Sequence, residues 1–207
     1  MRKPTGSLFL IVLLVSSLAV FSTTLFRALG ASSYEALLET DAVPAAYLLN
    51  SRVEHSQTAA LPIRLVVPSL SVDANIQQVG ITVSGAMATP KGFSDVGWYK
   101  YGPLPGDQGS SVMAGHFDDA LGGDGVFKHL ADLSEGDLVV VVFDDGSTRE
   151  FKVREKKMVP YQSADAESVF LARDGGSHLN LVTCGGTWVR GSRTYSERLI
   201  VFTDESS

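Results

Sequence analysis

Residues 137–143 read Asp-Leu-Val-Val-Val-Val-Phe, and Asp144-Asp145-Gly146 follows at once. β-branched side chains pack well on a pleated surface and lose freedom in a helix. A glycine-containing turn between two extended runs predicts a hairpin, and residues 148–159 run back as the alternating partner. The same texture recurs from residue 61 onward. Residues 63–67 end at Pro68, residues 75–79 form a second run, and residues 86–89 close at Pro90. Residues 110–114 lead into Gly115-His116, residues 179–183 into Cys184, and residues 198–203 make the last run. The chain carries 20 glycines and 8 prolines between such runs, which predicts about eight short strands joined by turns. Residues 125–133 are the exception, because Val126, Leu130 and Leu133 recur at helical spacing and predict a short helix. Closing the sheet removes its exposed edges, so the expected fold class is all-β: a closed, eight-stranded β-barrel with short helices. Val112, Val139, Val141, Leu181 and Ile200 are its expected core.

The N-terminal end is of another kind. Arg2 and Lys3 precede an apolar run at residues 8–26, broken only by Ser16, Ser17, Ser22, Thr23 and Thr24. About twenty helical residues cross a bilayer core. Positive charge before the run, with only Arg27 after it, keeps the N-terminus cytoplasmic and puts the rest outside. A cleaved signal peptide is the rival, with Ala28-Leu29-Gly30-Ala31 as an imperfect small-residue site. The length of the run favours an uncleaved transmembrane anchor. The expected organisation is a membrane anchor at 1–30, an extracytoplasmic stalk at 31–60 and a catalytic β-barrel at 61–207. In the stalk, residues 34–49 have one apolar side but are interrupted by Pro44, and residues 51–60 are small and polar. The expected localisation is the cell membrane, single-pass, with the catalytic domain extracytoplasmic. A net charge of −6, with no basic block after the N-terminus, argues against nucleic acid as a partner.

Cys184 is the only cysteine of the chain. It can form no internal disulfide and no cysteine-rich metal site. The bland reading is a small buried residue. The functional one is a nucleophile, since the position ends a strand and Gly185-Gly186 would let a substrate approach the backbone. A thiol attacks as the thiolate, so a base or cation must stand nearby. Of four histidines, His55 falls in the stalk, His129 in the short helix and His178 in a polar loop beside Gly175 and Gly176. His116 ends the strand at 110–114 and opens a loop with Asp118 and Asp119. An acyl transfer also passes through an oxyanion, which a fixed guanidinium stabilises. Arg198 opens the last strand, and Arg190 and Arg193 lie in the loop before it. Asp118, Asp119 and Asp124 lack an ordered ligand spacing and read as a solvated loop, so neither metal nor cofactor is expected.

Taken in order, these elements resemble the sortase family of cysteine transpeptidases. Leu181-Val182-Thr183-Cys184 is similar to its strand-end cysteine signature, Ala114-Gly115-His116 to its Gly-His element, and Arg198-Leu199-Ile200-Val201 to its arginine at the final strand. Val96-Gly97-Trp98-Tyr99, Gly102, Pro105-Gly106, Gly109 and Cys184-Gly185-Gly186 resemble class F or a close relative. One departure concerns Arg198: class F members often carry Asn there and an arginine slightly earlier, which makes Arg193 a competitor. The resemblance spans residues 64–202. It implies catalytic residues His116, Cys184 and Arg198, with Thr183, Gly185, Trp188 and Arg193 at the substrate. The groove would be formed by loops at 160–178 and 185–197. The implied chemistry is cleavage of a Leu-Pro-x-Thr-Gly-like sorting signal of secreted proteins through a Cys184 thioester. Transfer would go to an amine acceptor such as a cell-wall precursor, with a thiolate–imidazolium pair doing the work. A mainly hydrolytic cysteine peptidase of the same fold, and a non-catalytic membrane-tethered binding domain, are the alternatives.

Overall fold

The computed structural model describes residues 59–206 apart from 120, 162 and 173. The apolar N-terminal run and nearly all of the stalk therefore lie outside the described residues. Eight strands make the domain: β1 (Pro62–Val67), β2 (Val72–Val79), β3 (Val96–Tyr99), β4 (Gly109–Gly115), β5 (Leu138–Phe143), β6 (Thr148–Pro160), β7 (Ser177–Val189) and β8 (Thr194–Glu205). They close into one barrel in the order β1-β2-β3-β4-β7-β8-β6-β5, and β5 pairs back onto β1. The β2–β3 and β4–β7 pairs are parallel. A short helix α1 (Ala164–Glu167) and a 3-10 turn (Ser168–Phe170) lie in the crossover from β6 to β7.

The local chemistry of each boundary is plain. Pro68 lacks an N–H for the ladder, so β1 stops at Val67 and a 3-10 turn begins with that proline. The expected hairpin is β5–β6, with Val142 opposite Thr148 and Gly146 in the left-handed region at φ 82°.

Alternation along the strands sorts two clusters. Leu65, Val67, Trp98, Met113, Phe127, Leu179, Leu181 and Val201 fill the interior. Tyr99, Val112, Val159, Val169 and Ile200 form a second cluster on the outer wall, under the β6–β7 crossover. Fully burying one large apolar side chain contributes roughly 1.5–3 kcal/mol, so both clusters hold their layers. The five expected core residues, Val112, Val139, Val141, Leu181 and Ile200, are all buried. In β6 the register slips between Val153 and Glu155. That bulge reverses the facing, so Val153 packs inside while Val159 packs on the outer wall.

Several expectations are corrected. Residues 86–89 form no strand; Met87 makes only an isolated bridge to Ile81. The missing strand is β3, whose four residues are all buried, so no polar alternation marks it in the sequence. Residues 125–133 hold a 3-10 turn at Leu130–Asp132 rather than an α-helix, although Leu130 and Leu133 reach the core. So short a segment closes too few helical bonds to repay nucleation. The loop expected at 185–197 is mostly strand, because β7 runs on to Val189 and β8 starts at Thr194. Cys184 and Arg198 therefore lie within their strands rather than at the ends. His178 is in β7 and not in a loop.

Candidate active site

Cys184 and Arg198 are direct cross-strand partners on β7 and β8. Opposed residues of an antiparallel pair share one face, and here that face is the outer wall, since Val182 and Ile200 next along belong to the outer cluster. The parallel β4–β7 ladder pairs Val112 with Asn180 and Ala114 with Val182. Two steps further the same register sets His116 beside Cys184. The Thr183 hydroxyl donates to the Gly115 carbonyl at 2.9 Å and ties the two strands together at that level. Three strands thus bring a thiol, an imidazole and a guanidinium to one patch of the wall. All three residues are half-buried, which limits competing water without sealing the site.

Each side chain is oriented by its neighbours. His116 Nε2 donates to the Pro90 carbonyl at 3.2 Å. A carbonyl only accepts, so Nε2 carries a proton and Nδ1 is the nitrogen left to exchange one. The Phe93 ring packs against the imidazole with centroids 4.7 Å apart. Arg198 Nη1 donates to the Tyr195 and Glu197 carbonyls at 3.2 and 3.0 Å, and Nη2 to Thr194 Oγ1 at 3.1 Å. The guanidinium also lies 5.2 Å from the centre of the Tyr161 ring. These contacts pre-order a long side chain and, among the described residues, leave Nε–H and one Nη2–H uncommitted.

The sequence reading missed a group beside the thiol. Tyr195 donates its hydroxyl to Asp118, and its ring meets Phe117 and Trp188 edge-on at 5.4 and 5.3 Å. The phenol is pushed up to about 12, first by the hydrogen bond to Asp118, then by burial and by the negative charges of Asp118 and Cys184. A lone tyrosine in a polar stretch carries no sequence signal of this. Asp119 accepts from the Leu121 and Gly123 N–H groups, which hold its carboxyl below the usual range.

The other expected substrate residues separate. Trp188 is on β7 opposite Tyr195 and exposed. Thr183 and Gly185 alternate to the opposite face from Cys184; a Cβ at Gly185 would fall 2.8 Å from Met158 Sδ. Arg193 occupies the turn after β7 at φ 52°. It stands five residues from Arg198, about 16 Å along an extended chain at ~3.3 Å per residue.

A model of the sortase domain matches residues 65–206. The chain belongs to the sortase family. Its members are cysteine transpeptidases, and this sortase has a single cysteine. Solved structures share its fold. Sortase C-1 from Actinomyces oris is 23% identical, with a TM-score of 0.54, 87% of this chain covered and 97% of that one. Sortase C2 of Group B Streptococcus Pilus Island 1 is 21% identical, with a TM-score of 0.52 and coverage of 70% and 73%. Sortase A from Corynebacterium diphtheriae is 17% identical, with a TM-score of 0.54 and coverage of 89% and 84%. At these identities the likeness is one of fold. No curated protein matches the sequence.

Proposed function

We propose that this sortase cleaves a Leu-Pro-x-Thr-Gly-like sorting signal and joins the new carboxyl end to an amine. The observation that supports the reading is that Cys184 and Arg198 are cross-strand partners on β7 and β8, while the β4–β7 register, continued two residues past the Ala114–Val182 pair, puts His116 at the level of Cys184. The Cys184 thiolate attacks the threonine carbonyl carbon, and the carbonyl π pair moves onto oxygen. Arg198 donates to that oxyanion through its uncommitted N–H groups. The C–N bond to glycine then breaks, and His116 gives the leaving nitrogen a proton from Nδ1. An acceptor amine attacks the thioester and returns a proton to His116, and the thiolate leaves. The thiolate–imidazolium form is the reactive one. Arg198 is favoured over Arg193 because it is the direct cross-strand partner of Cys184 and is already held by three hydrogen bonds.

The finer class is F or a close relative, on residues whose positions have physical reasons. Trp98 is buried and donates from Nε1 to Ser111 Oγ at 3.0 Å. Gly106 and Gly109 adopt φ of 99° and 122°, which side chains disfavour. With the apolar run at 8–26 as an uncleaved anchor, the barrel works outside the cell membrane. Its partners there are the sorting-signal peptide and an amine acceptor such as a cell-wall precursor. The test is product analysis of a Leu-Pro-Ala-Thr-Gly peptide with and without added triglycine. The reading expects a ligated peptide that needs the amine. Free acid as the sole product in both cases would favour a hydrolase, and an uncleaved peptide would refute the motif.

A further inference from the structure

Beyond Gly115 the chain leaves β4 as a short hairpin. The His116 and Phe117 carbonyls accept from the Phe127 and Gly125 N–H groups at 2.9 and 3.0 Å, and Asp119 N–H donates to the Gly123 carbonyl at 2.9 Å. Asp118 and Asp124 bridge its two arms. These bonds are internal to the hairpin, so they fix its shape and not its place relative to the thiol. The β4–β7 ladder ends at Ala114 opposite Val182, and the Thr183 hydroxyl reaches only as far as the Gly115 carbonyl. The contacts of the imidazole itself, with the Pro90 carbonyl and the Phe93 ring, come from the connection between β2 and β3.

Past Gly115, Tyr195 of β8 ties the hairpin to the strands that carry Cys184 and Arg198. Its hydroxyl donates to Asp118, two residues beyond His116. Its ring meets edge-on that of Phe117, the residue after the histidine, with centroids 5.4 Å apart. The Lys128 ammonium lies 4.0 Å from the centre of the same Phe117 ring. A phenol pushed up to about 12 stays a donor through the neutral range. Strand geometry aims the tyrosine. From the Gly185–Glu197 pair to the Trp188–Tyr195 pair, β7 advances three residues while β8 advances two. That bulge sets Trp188 opposite Tyr195, and the two rings pack edge-on at 5.3 Å. The Tyr195 carbonyl also accepts from Arg198 Nη1 at 3.2 Å. One residue thus touches both the arginine and the hairpin of the histidine.

We propose that Tyr195 is a positioning residue, whose hydrogen bond to Asp118 holds the hairpin against β8 and so sets His116 relative to Cys184 and Arg198. The proposal deepens the sorting-signal reading above and rests on its assignment of those three residues. Without the bond the hairpin keeps its internal ladder but loses a tie to β8. His116 must hand a proton to the leaving nitrogen, and a displacement of about 1 Å costs on the order of a hundredfold in rate. The transfer is made in the transition state, so the loss falls on kcat and not on KM. Asp118 serves as an acceptor, which an amide oxygen at the same position can also supply.

Four variants test this by kcat and KM for transfer of a Leu-Pro-Ala-Thr-Gly peptide to triglycine, with Tm measured beside them: Tyr195→Phe, Asp118→Ala, Asp118→Asn and the double variant Tyr195→Phe/Asp118→Ala. Tyr195→Phe keeps the ring and its packing and removes only the donor. It and Asp118→Ala should each lower kcat by about tenfold to a hundredfold, the range of a hydrogen bond to a charged group, with KM little changed. The double variant should be no slower than either single one, because both remove the same bond. Asp118→Asn should recover most of the loss. If Asp118→Ala is unfolded at the assay temperature, Tyr195→Phe and Asp118→Asn still carry the comparison. A Tyr195→Phe enzyme whose Tm falls while its kcat stays within about threefold of the parent would make the bond merely structural and overturn the proposal. So would Asp118→Asn as slow as Asp118→Ala, which would assign the effect to charge, or losses that multiply in the double variant. All three results leave transpeptidation by the parent intact. If the parent leaves the peptide uncleaved, the sorting-signal reading fails and the role of Tyr195 in it fails too.

Discussion

Gly125 sets where His116 stands, and Gly125→Ala should disable the enzyme without dismantling the barrel. A Cβ at residue 125 would fall 2.5 Å from the His116 carbonyl carbon and 2.9 Å from that of Phe117, and closer still to the His116 oxygen. These are backbone atoms, so no side chain can rotate away. Favourable carbon contacts begin at about 3.5 Å, so one segment or the other must yield by roughly 1 Å. The segment to be moved is anchored, because Phe127 N–H donates to the His116 carbonyl at 2.9 Å and Gly125 N–H to that of Phe117 at 3.0 Å. Overpacking of this kind costs about 1–3 kcal/mol, or roughly 2–4 °C of Tm per kcal/mol for a domain this size. A reacting group displaced by about 1 Å costs on the order of a hundredfold in rate. The assay is transpeptidation kcat/KM beside thermal unfolding. Gly191→Ala serves as the control, since nothing lies within 4 Å of a Cβ there. Gly125→Ala activity within about threefold of the parent would refute the argument that this close approach positions the histidine.

Arg198→Ala should lower kcat about a hundredfold to a thousandfold, the usual effect of removing an oxyanion donor, while Arg193→Ala stays within a few fold; steady-state kinetics at saturating peptide would show the reverse order if Arg193 holds the oxyanion. At His178, burial lowers the imidazole pKa, but hydrogen bonds and charge from Asp174 and Asp204 outweigh it and leave the pKa raised. The stability this contributes is full below about 6.5 and is lost as pH rises through the folded value. Asp174 is lowered to about 2, first by the Gly176 N–H and then by His178, so its share is lost only as pH falls toward 2. The Tm gap between the parent and His178→Gln should therefore be widest in mildly acidic solution and shrink toward alkaline pH; a gap that grows with pH would contradict the bridged imidazolium.

How far the sequence carried depends on the residue. The β5–β6 hairpin was legible because four valines, an Asp-Gly turn and an alternating return agree at every level. β3 was not legible, because Trp98 faces the core while Tyr99 packs on the outer wall, and a strand buried on both sides shows no period. The facing of Arg198 with Ile200 and Phe202, away from Leu199 and Val201, followed from alternation alone. The extent of β7 past Cys184 did not, since Gly185-Gly186 reads as a turn. In the folded chain Gly186 instead takes φ 76° in a stretch where the β7–β8 register shifts between Gly185 and Trp188. Tyr195 and Asp118 are 77 residues apart, and only the closed barrel brings them together beside the sulfur.

The thioester itself is open to observation. The parent enzyme and Cys184→Ala would each be incubated with a Leu-Pro-Ala-Thr-Gly peptide in the absence of amine, quenched in acid and weighed by intact-mass spectrometry. The parent should gain the mass of the free peptide acid ending at threonine, less one water. Digestion should place the adduct on the fragment containing Cys184, and triglycine added before the quench should discharge it with formation of the ligated peptide. The alanine variant should gain nothing and turn over nothing. Peptide cleavage by Cys184→Ala, or an adduct on any residue other than Cys184, would contradict the assignment of this thiol as the nucleophile.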